Sequence, residues 1–297
     1  MNFPVPSPEG IQQTLKLHET PPHIGNGGFK AVYSMKTPSG TEAIKAVYVP
    51  PSGNEDEDAI RAQLIARAQR EIETLRECES RYLVKLGELP PALHTIDGHD
   101  YLIYSEEFLP GKSLDDWVTR IIRPSFDELL CVFKSLVYLI RTLSESGILH
   151  RDIKPANIME TGLPDRPYVV LDLGIAFKIH GTELTQGGSP PGTVRYMAPE
   201  LLKPDYKDVM DFRCDLYAAG LTIYVLASGT HPFAPMPENQ YATVYRILKK
   251  SPRALAELRP DLPLSFCAII ERCIRKKPAL RYANFDLIEN AIQEIML

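Results

Sequence analysis

The chain carries no cysteine pair at disulfide-framework or metal-site spacing. Its five cysteines, Cys78, Cys131, Cys214, Cys267 and Cys273, are odd in number and scattered, with no CxxC among them. That excludes a zinc ribbon or a stapled secreted scaffold, and predicts reduced thiols. Positive charge is not in excess either: 33 Lys and Arg stand against 38 Asp and Glu, for a net charge of −5. No basic stripe interleaved with aromatics is present, so no nucleic-acid partner is expected. Apolar runs are broken by charges well short of a bilayer span. Residues 1–10 lack both a basic start and an apolar stretch, which argues against a signal peptide. The expectation is a soluble, cytoplasmic protein with no membrane partner, its oligomeric state left open. Internal repeats and low-complexity linkers are also missing.

What is present divides into two halves of different character. The 297 residues are enough for one large domain or two small ones, and 44% are hydrophobic, enough for real cores. Up to about residue 108, short strands and turns dominate. Residues 32–35 and 42–48 read as strands joined by a turn at 37–40, and another turn is expected at Asp97-Gly98. The Pro- and acid-rich stretch 50–58 reads as a solvated loop, followed by a helix over 59–77. From Leu114 onward helices take over. Ser125 and Glu128 form a capping-box pattern, opening a helix with Leu129, Phe133, Leu136, Val137, Ile140 and Leu143 on one face. Further helices are predicted at 216–228, 243–250, 264–275 and 285–295. The junction falls near 107–112, with Pro110-Gly111 as its flexible point.

The most specific string is His150-Arg151-Asp152-Ile153-Lys154-Pro155-Ala156-Asn157. With each residue type at about one in twenty, six fixed positions would recur by chance with a probability of roughly a few in a million. An Asp, a Lys and an Asn at this spacing can serve an incoming hydroxyl, a transferring phosphoryl group and a metal ion. The octet resembles the catalytic loop of eukaryotic-type serine/threonine protein kinases. That resemblance implies an α+β, two-lobed protein-kinase-like fold: a small antiparallel β-sheet N-lobe with one main helix, and a larger, mainly helical C-lobe. Its boundaries would be an N-terminal extension at 1–16 and a kinase domain at 17–297, with the N-lobe at about 17–106, the hinge at about 107–112 and the C-lobe at about 113–297.

The same resemblance assigns roles. Asp152 matches the catalytic base, Lys154 the residue that neutralises the γ-phosphoryl, Asn157 one metal ligand and Asp172, in Asp172-Leu173-Gly174, the other. Ile24, Gly25, Asn26, Gly27, Gly28 and Val32 match the glycine-rich loop over the ATP phosphates, with Lys30 standing where the third glycine is usual. Lys45 matches the strand lysine that holds the α- and β-phosphates. Glu71 is its expected partner, because Glu73 lies roughly 200° round the helix. Ala43, Glu107 and Leu109 would line the nucleotide pocket. ATP and Mg²⁺, with Mn²⁺ as an alternative, are the implied cofactors, and a protein carrying Ser or Thr is the implied partner. Residues 192–200 resemble the end of the activation segment, where Thr193 together with Lys154 points to Ser/Thr specificity. Ser189, Thr185 and Thr182 are candidate phosphoacceptors that could engage a basic pocket including Arg151. Structural roles fall to Thr193, to Glu200 paired with Arg281, and to Asp215, which can cap its helix and brace the catalytic loop.

Three features leave alternatives open. Lys30 either weakens the loop's approach to ATP or adds a charge at its tip. Glu106, at the back of the implied pocket, either pairs with a buried cation, competing for Lys45, or yields its place to Ser105 through a register slip. The chain as a whole is either an active kinase or a pseudokinase serving as a nucleotide-binding or scaffolding module. Residues 275–277 read as a solvated helix end.

Overall fold

The structure is a computed structural model that describes residues 3–27, 29–173, 177–178, 194–203, 206, 210–234 and 240–296. Two compact units emerge, one formed by residues up to 79 with 84–109, the other by 80–83 with the chain from 110 onward.

The first unit is built on a five-stranded antiparallel sheet. Its strands are β1 (His23–Asn26), β2 (Lys30–Thr37), β3 (Gly40–Val49), β4 (Ala92–Ile96) and β5 (His99–Glu107), in the order β1-β2-β3-β5-β4. Side chains alternate across the sheet, and both faces are apolar. One face packs Ala31, Tyr33, Ile44, Ala46, Ile96, Tyr101 and Ile103 with Ile11. Ile11 comes from α1 (Pro8–Leu15), an element that sequence patterning missed. The opposite face packs Val47, Val49, Leu102 and Tyr104 against Ala68 and Ile72 of α2 (Glu55–Glu77).

Helix α1 is short but well specified. Ser7 accepts a hydrogen bond from the Gly10 N–H at 3.0 Å, and Pro8 occupies a position where no donor is needed. The segment before it is tied to the sheet: the Tyr101 hydroxyl donates to the Pro4 carbonyl at 3.1 Å and the Tyr33 hydroxyl to that of Pro6. The Ser7 N–H donates to Asp97, in the β4–β5 turn, at 2.6 Å. Helix α2 corrects the loop expected at 50–58. Asn54 accepts from the Glu57 N–H at 3.0 Å and starts the helix at Glu55, and acidic residues in a first turn favour the helix dipole.

The second unit is mainly helical. Its strands are β6 (Lys112–Ser113), β7 (Ile148–Leu149), β8 (Ile158–Leu163), β9 (Arg166–Val170) and β10 (Phe177–Lys178). They form a three-stranded sheet, β6-β8-β9, and the β10-β7 pair. The helices are α3 (Asp115–Thr119), α4 (Phe126–Glu145), α5 (Arg213–Ser228), α6 (Gln240–Lys249), α7 (Leu255–Leu258), α8 (Leu264–Cys273) and α9 (Phe285–Glu294). Both halves of the predicted capping box open α4. Helix α5 is apolar all round and buried along nearly its whole length, as a central core helix must be. At the junction, Gly111 has φ +107°, and a Cβ there would run into the Glu160 carbonyl oxygen, so only glycine fits.

Because Ile11 is fully buried in the sheet core, Ile11→Ala should lower stability by about 2–5 kcal/mol and Ile11→Val by about 0.5–1.5 kcal/mol. Denaturant titration of the two variants tests this. Equal, negligible effects would show that α1 is dispensable.

Candidate active site

In the first unit the pleat sets the charges. Lys30 on β2, Lys45 on β3 and Glu106 on β5 share the face opposite Ile44 and Tyr101, the face that packs on α2. The Lys45 ammonium donates to Glu106 Oε1 at 2.5 Å and to Glu71 Oε1 at 3.3 Å. Lys30 Nζ lies 3.5 Å from the same Glu71 oxygen. Glu71 is buried and Glu73 exposed, as the helical angle predicted. Burial pushes the Glu106 carboxyl up; Lys45 pulls it back and Glu71 pushes it further up.

The question of which residue meets Lys45 is thereby answered. Strands β3 and β5 pair without a slip, Ala43 opposite Glu106 and Ile44 opposite Ser105. Ser105 points to the other face, where it donates to Glu42 Oε2 at 2.5 Å and accepts from the Leu89 N–H. Glu106 is the residue that pairs with Lys45. The Lys30 charge is met by Glu71.

The other described members of the predicted nucleotide-binding set belong to the same unit. The Gly27 N–H donates to the Lys30 carbonyl at 2.7 Å, closing the β1–β2 turn, and Asn26 meets the His23 ring at 2.9 Å. Ile24 is exposed, and Gly25 has open space where a Cβ would stand. Val32 and Ala43 are half-buried on the Lys45 face. Glu107 exchanges two bonds with the Lys85 backbone, both at 2.9 Å, and Leu109 is buried.

The octet lies in the second unit, running from β7 into the turn Pro155–Asn157. Lys154 Nζ donates to both Asp152 oxygens, at 2.9 and 2.7 Å. Asn157 Nδ2 donates to the Asp152 carbonyl and to its Oδ2, both at 2.9 Å. Burial pushes the Asp152 carboxyl up, Lys154 pulls it back, and Asp172 raises it again. The Leu171 N–H donates to the Asn157 carbonyl at 2.7 Å, fixing the strand end that leads to Asp172.

Asp215 holds the loop in shape. Its oxygens accept from the His150 N–H at 2.8 Å and the Arg151 N–H at 2.7 Å. Arg151 is left-handed, φ 65°, as is Asp172, φ 64°; for non-glycine residues such backbone is uncommon and is sustained by its surroundings. Asp215 does not cap its helix, since α5 already starts at Arg213. Glu200 and Arg281 meet as expected: the guanidinium donates to both carboxylate oxygens, at 2.6 and 2.8 Å, in a fully buried fork. Gly28, Gly174, Thr182, Thr185, Ser189 and Thr193 lie outside the described residues.

Sequence reasoning passed over His231. Its Nδ1 accepts from the N–H groups of Phe233 and Ala234, and Nε2 lies 3.1 Å from the Arg195 carbonyl. A His before Pro in a turn is the only signal the sequence offers. The reading of 275–277 as solvated holds for the exposed Arg275 and Lys277 but not for Lys276, whose ammonium lies 3.6 Å from the centre of the Phe233 ring and is lowered by burial to about 8.

His150 is fully buried, and burial lowers its imidazole from 6.5 to about 4. The unfolded chain therefore binds a proton between those values that the folded chain does not. Stability should fall as pH drops through that window, with a His150 share of about 3 kcal/mol. Melting against pH tests this: His150→Leu should flatten the acid limb, and an unchanged limb would contradict it.

The family model described as a protein kinase domain matches residues 18–294. The chain is 25% identical to a probable serine/threonine-protein kinase, PknB, of Lactococcus lactis, over 89% of this chain and 39% of that protein. It is 28% identical to the serine/threonine-protein kinase PknH of Mycobacterium tuberculosis, over 68% of this chain and 32% of that one. It thus spans well under half the length of these curated relatives. Among solved structures, the Mycobacterium tuberculosis PknI kinase domain superposes with a TM-score of 0.62 at 22% identity, covering 92% of this chain and 93% of that domain. The fold is that of a protein kinase, and the chain belongs to the protein kinase domain family.

Proposed function

We propose that the chain is a serine/threonine protein kinase domain, transferring the γ-phosphoryl group of ATP to Ser or Thr hydroxyls of a protein substrate. The observation that carries this is the Asp152–Lys154–Asn157 cluster on a loop held by Asp215. The names of its relatives support the choice of acceptor.

Asp152 is the base that orients the substrate hydroxyl and takes its proton. Burial makes its carboxylate more basic, while Lys154 at 2.7 Å opposes that rise. Lys154 also supplies positive charge for the transferring group. Lys45, which donates to Glu71, holds the α- and β-phosphates, with the glycine-rich β1–β2 turn over them. Phosphorylation of Ser189, Thr185 or Thr182 would regulate the domain through a basic pocket that includes Arg151.

Among the described residues there is no cluster of three His, Cys, Asp or Glu side chains able to hold a metal unaided. The donors still suit Mg²⁺, which favours oxygen and keeps waters and substrate phosphates as its remaining ligands. Asn157 spends Nδ2 on Asp152, leaving Oδ1 for a cation, and Asp172 raises the Asp152 carboxyl, as a neighbouring carboxylate does. Asn157 and Asp172 would hold the ion, which neutralises phosphate charge when bound. No helix among the described residues is long and apolar enough to cross a membrane, and all five cysteines are free. We place the activity in the cytoplasm.

Asp152→Asn and Asp172→Ala should each lower phosphoryl transfer by about 10²-fold or more, with melting temperatures close to that of the wild type. Labelled-ATP transfer followed by phosphoamino-acid analysis is the test. Phosphotyrosine as the main product, or full activity in either variant, would contradict the assignment.

A further inference from the structure

Four side chains of alternating sign run across one buried face of the first unit: Glu106, Lys45, Glu71 and Lys30. The separations are 2.5 Å, 3.3 Å and 3.5 Å. Glu106 is 2% exposed and Lys45 6%. The charged groups facing Glu106 are Lys45 from β3, Glu71 from α2 and, more weakly, Lys30 from β2.

The two carboxylates are not equally provided for. Glu71 is touched by both lysines. Glu106 hydrogen-bonds to Lys45 and, among the described residues, to no other side chain. A cation drawn away from this arrangement leaves Glu71 with Lys30, but leaves Glu106 buried without its counter-charge, a costly state.

We propose that Glu106 competes with nucleotide phosphate for the Lys45 ammonium and so sets the affinity of this site for phosphorylated ligands. The inference rests on the nucleotide-binding role proposed above for Lys45. Phosphate binding must break the shortest link of the row, while Lys30 keeps Glu71 compensated. Burial already pushes the Glu106 carboxyl up, so uptake of a proton is the available compensation once Lys45 leaves. A ligand without phosphates makes no demand on Lys45 and escapes the competition. Glu106 is therefore an affinity-setting residue that acts through Lys45 rather than on the reacting atoms.

The test is titration calorimetry of Mg-ATP and of adenosine against the wild type, Glu106→Gln and Glu106→Met. The methionine variant removes the buried charge altogether, so either folded variant suffices. Mg-ATP should bind the variants about tenfold or more tightly, while adenosine changes by less than about threefold. Unchanged or weaker Mg-ATP binding overturns the proposal, as does an equal shift for both ligands, which would mark a general effect on the pocket. Those results leave the kinase assignment standing. Failure of the wild type and both variants to bind either ligand removes the nucleotide-binding role itself, and this proposal with it.

Discussion

A charge taken out of water must be met by an opposite charge or by well-aimed hydrogen bonds, or the fold does not hold it. This chain buries Lys45, Glu71, Glu106, Asp215, Glu200 and Arg281, and they are met in three different ways. Glu200 and Arg281 meet as a two-bond fork, with further Arg281 bonds to the Arg213 and Arg275 carbonyls. Asp215 meets two backbone N–H groups and so dictates the path of the loop bearing Asp152. Lys45 is held between two acids, and that sharing makes the first unit responsive to a phosphate.

The scaffolding follows from simpler forces. A sheet with two apolar faces needs a cover on each. Helix α2 covers one face, and its burial of Ile72 brings Glu71 to Lys45. The other face is covered by Ile11 of α1 and by tyrosine hydroxyls bonded to the chain before it. Residues ahead of the matched span at 18–294 therefore belong physically to the sheet.

Much of this was legible from residue order. Strand alternation, the Ser125–Glu128 cap, the octet, the Lys45–Glu71 pair and the Glu200–Arg281 pair all rest on local pattern or on motifs of fixed spacing. The misses have physical causes. Only Ile11, fully buried, and the half-buried Leu15 carry the apolar contact of α1, too little for a periodic signal. The acid-rich start of α2 looked like solvent-facing charge because a cap at Asn54 is a single residue. The cap expected of Asp215 failed because its carboxylate serves another chain segment, which no helical pattern encodes. Glu106 and Lys30 stood out as departures, but their partners depend on strand register, and that becomes visible only once the sheet is built.

The most direct test is a crystal structure of the domain with a non-hydrolysable ATP analogue and Mg²⁺, beside one without ligand. Lys45 should lie on a phosphate oxygen in the bound form, with its contact to Glu106 lengthened beyond the 2.5 Å of the free form, and a cation should sit on Asn157 and Asp172. A bound analogue with Lys45 still on Glu106, and no cation at those two residues, would contradict the account.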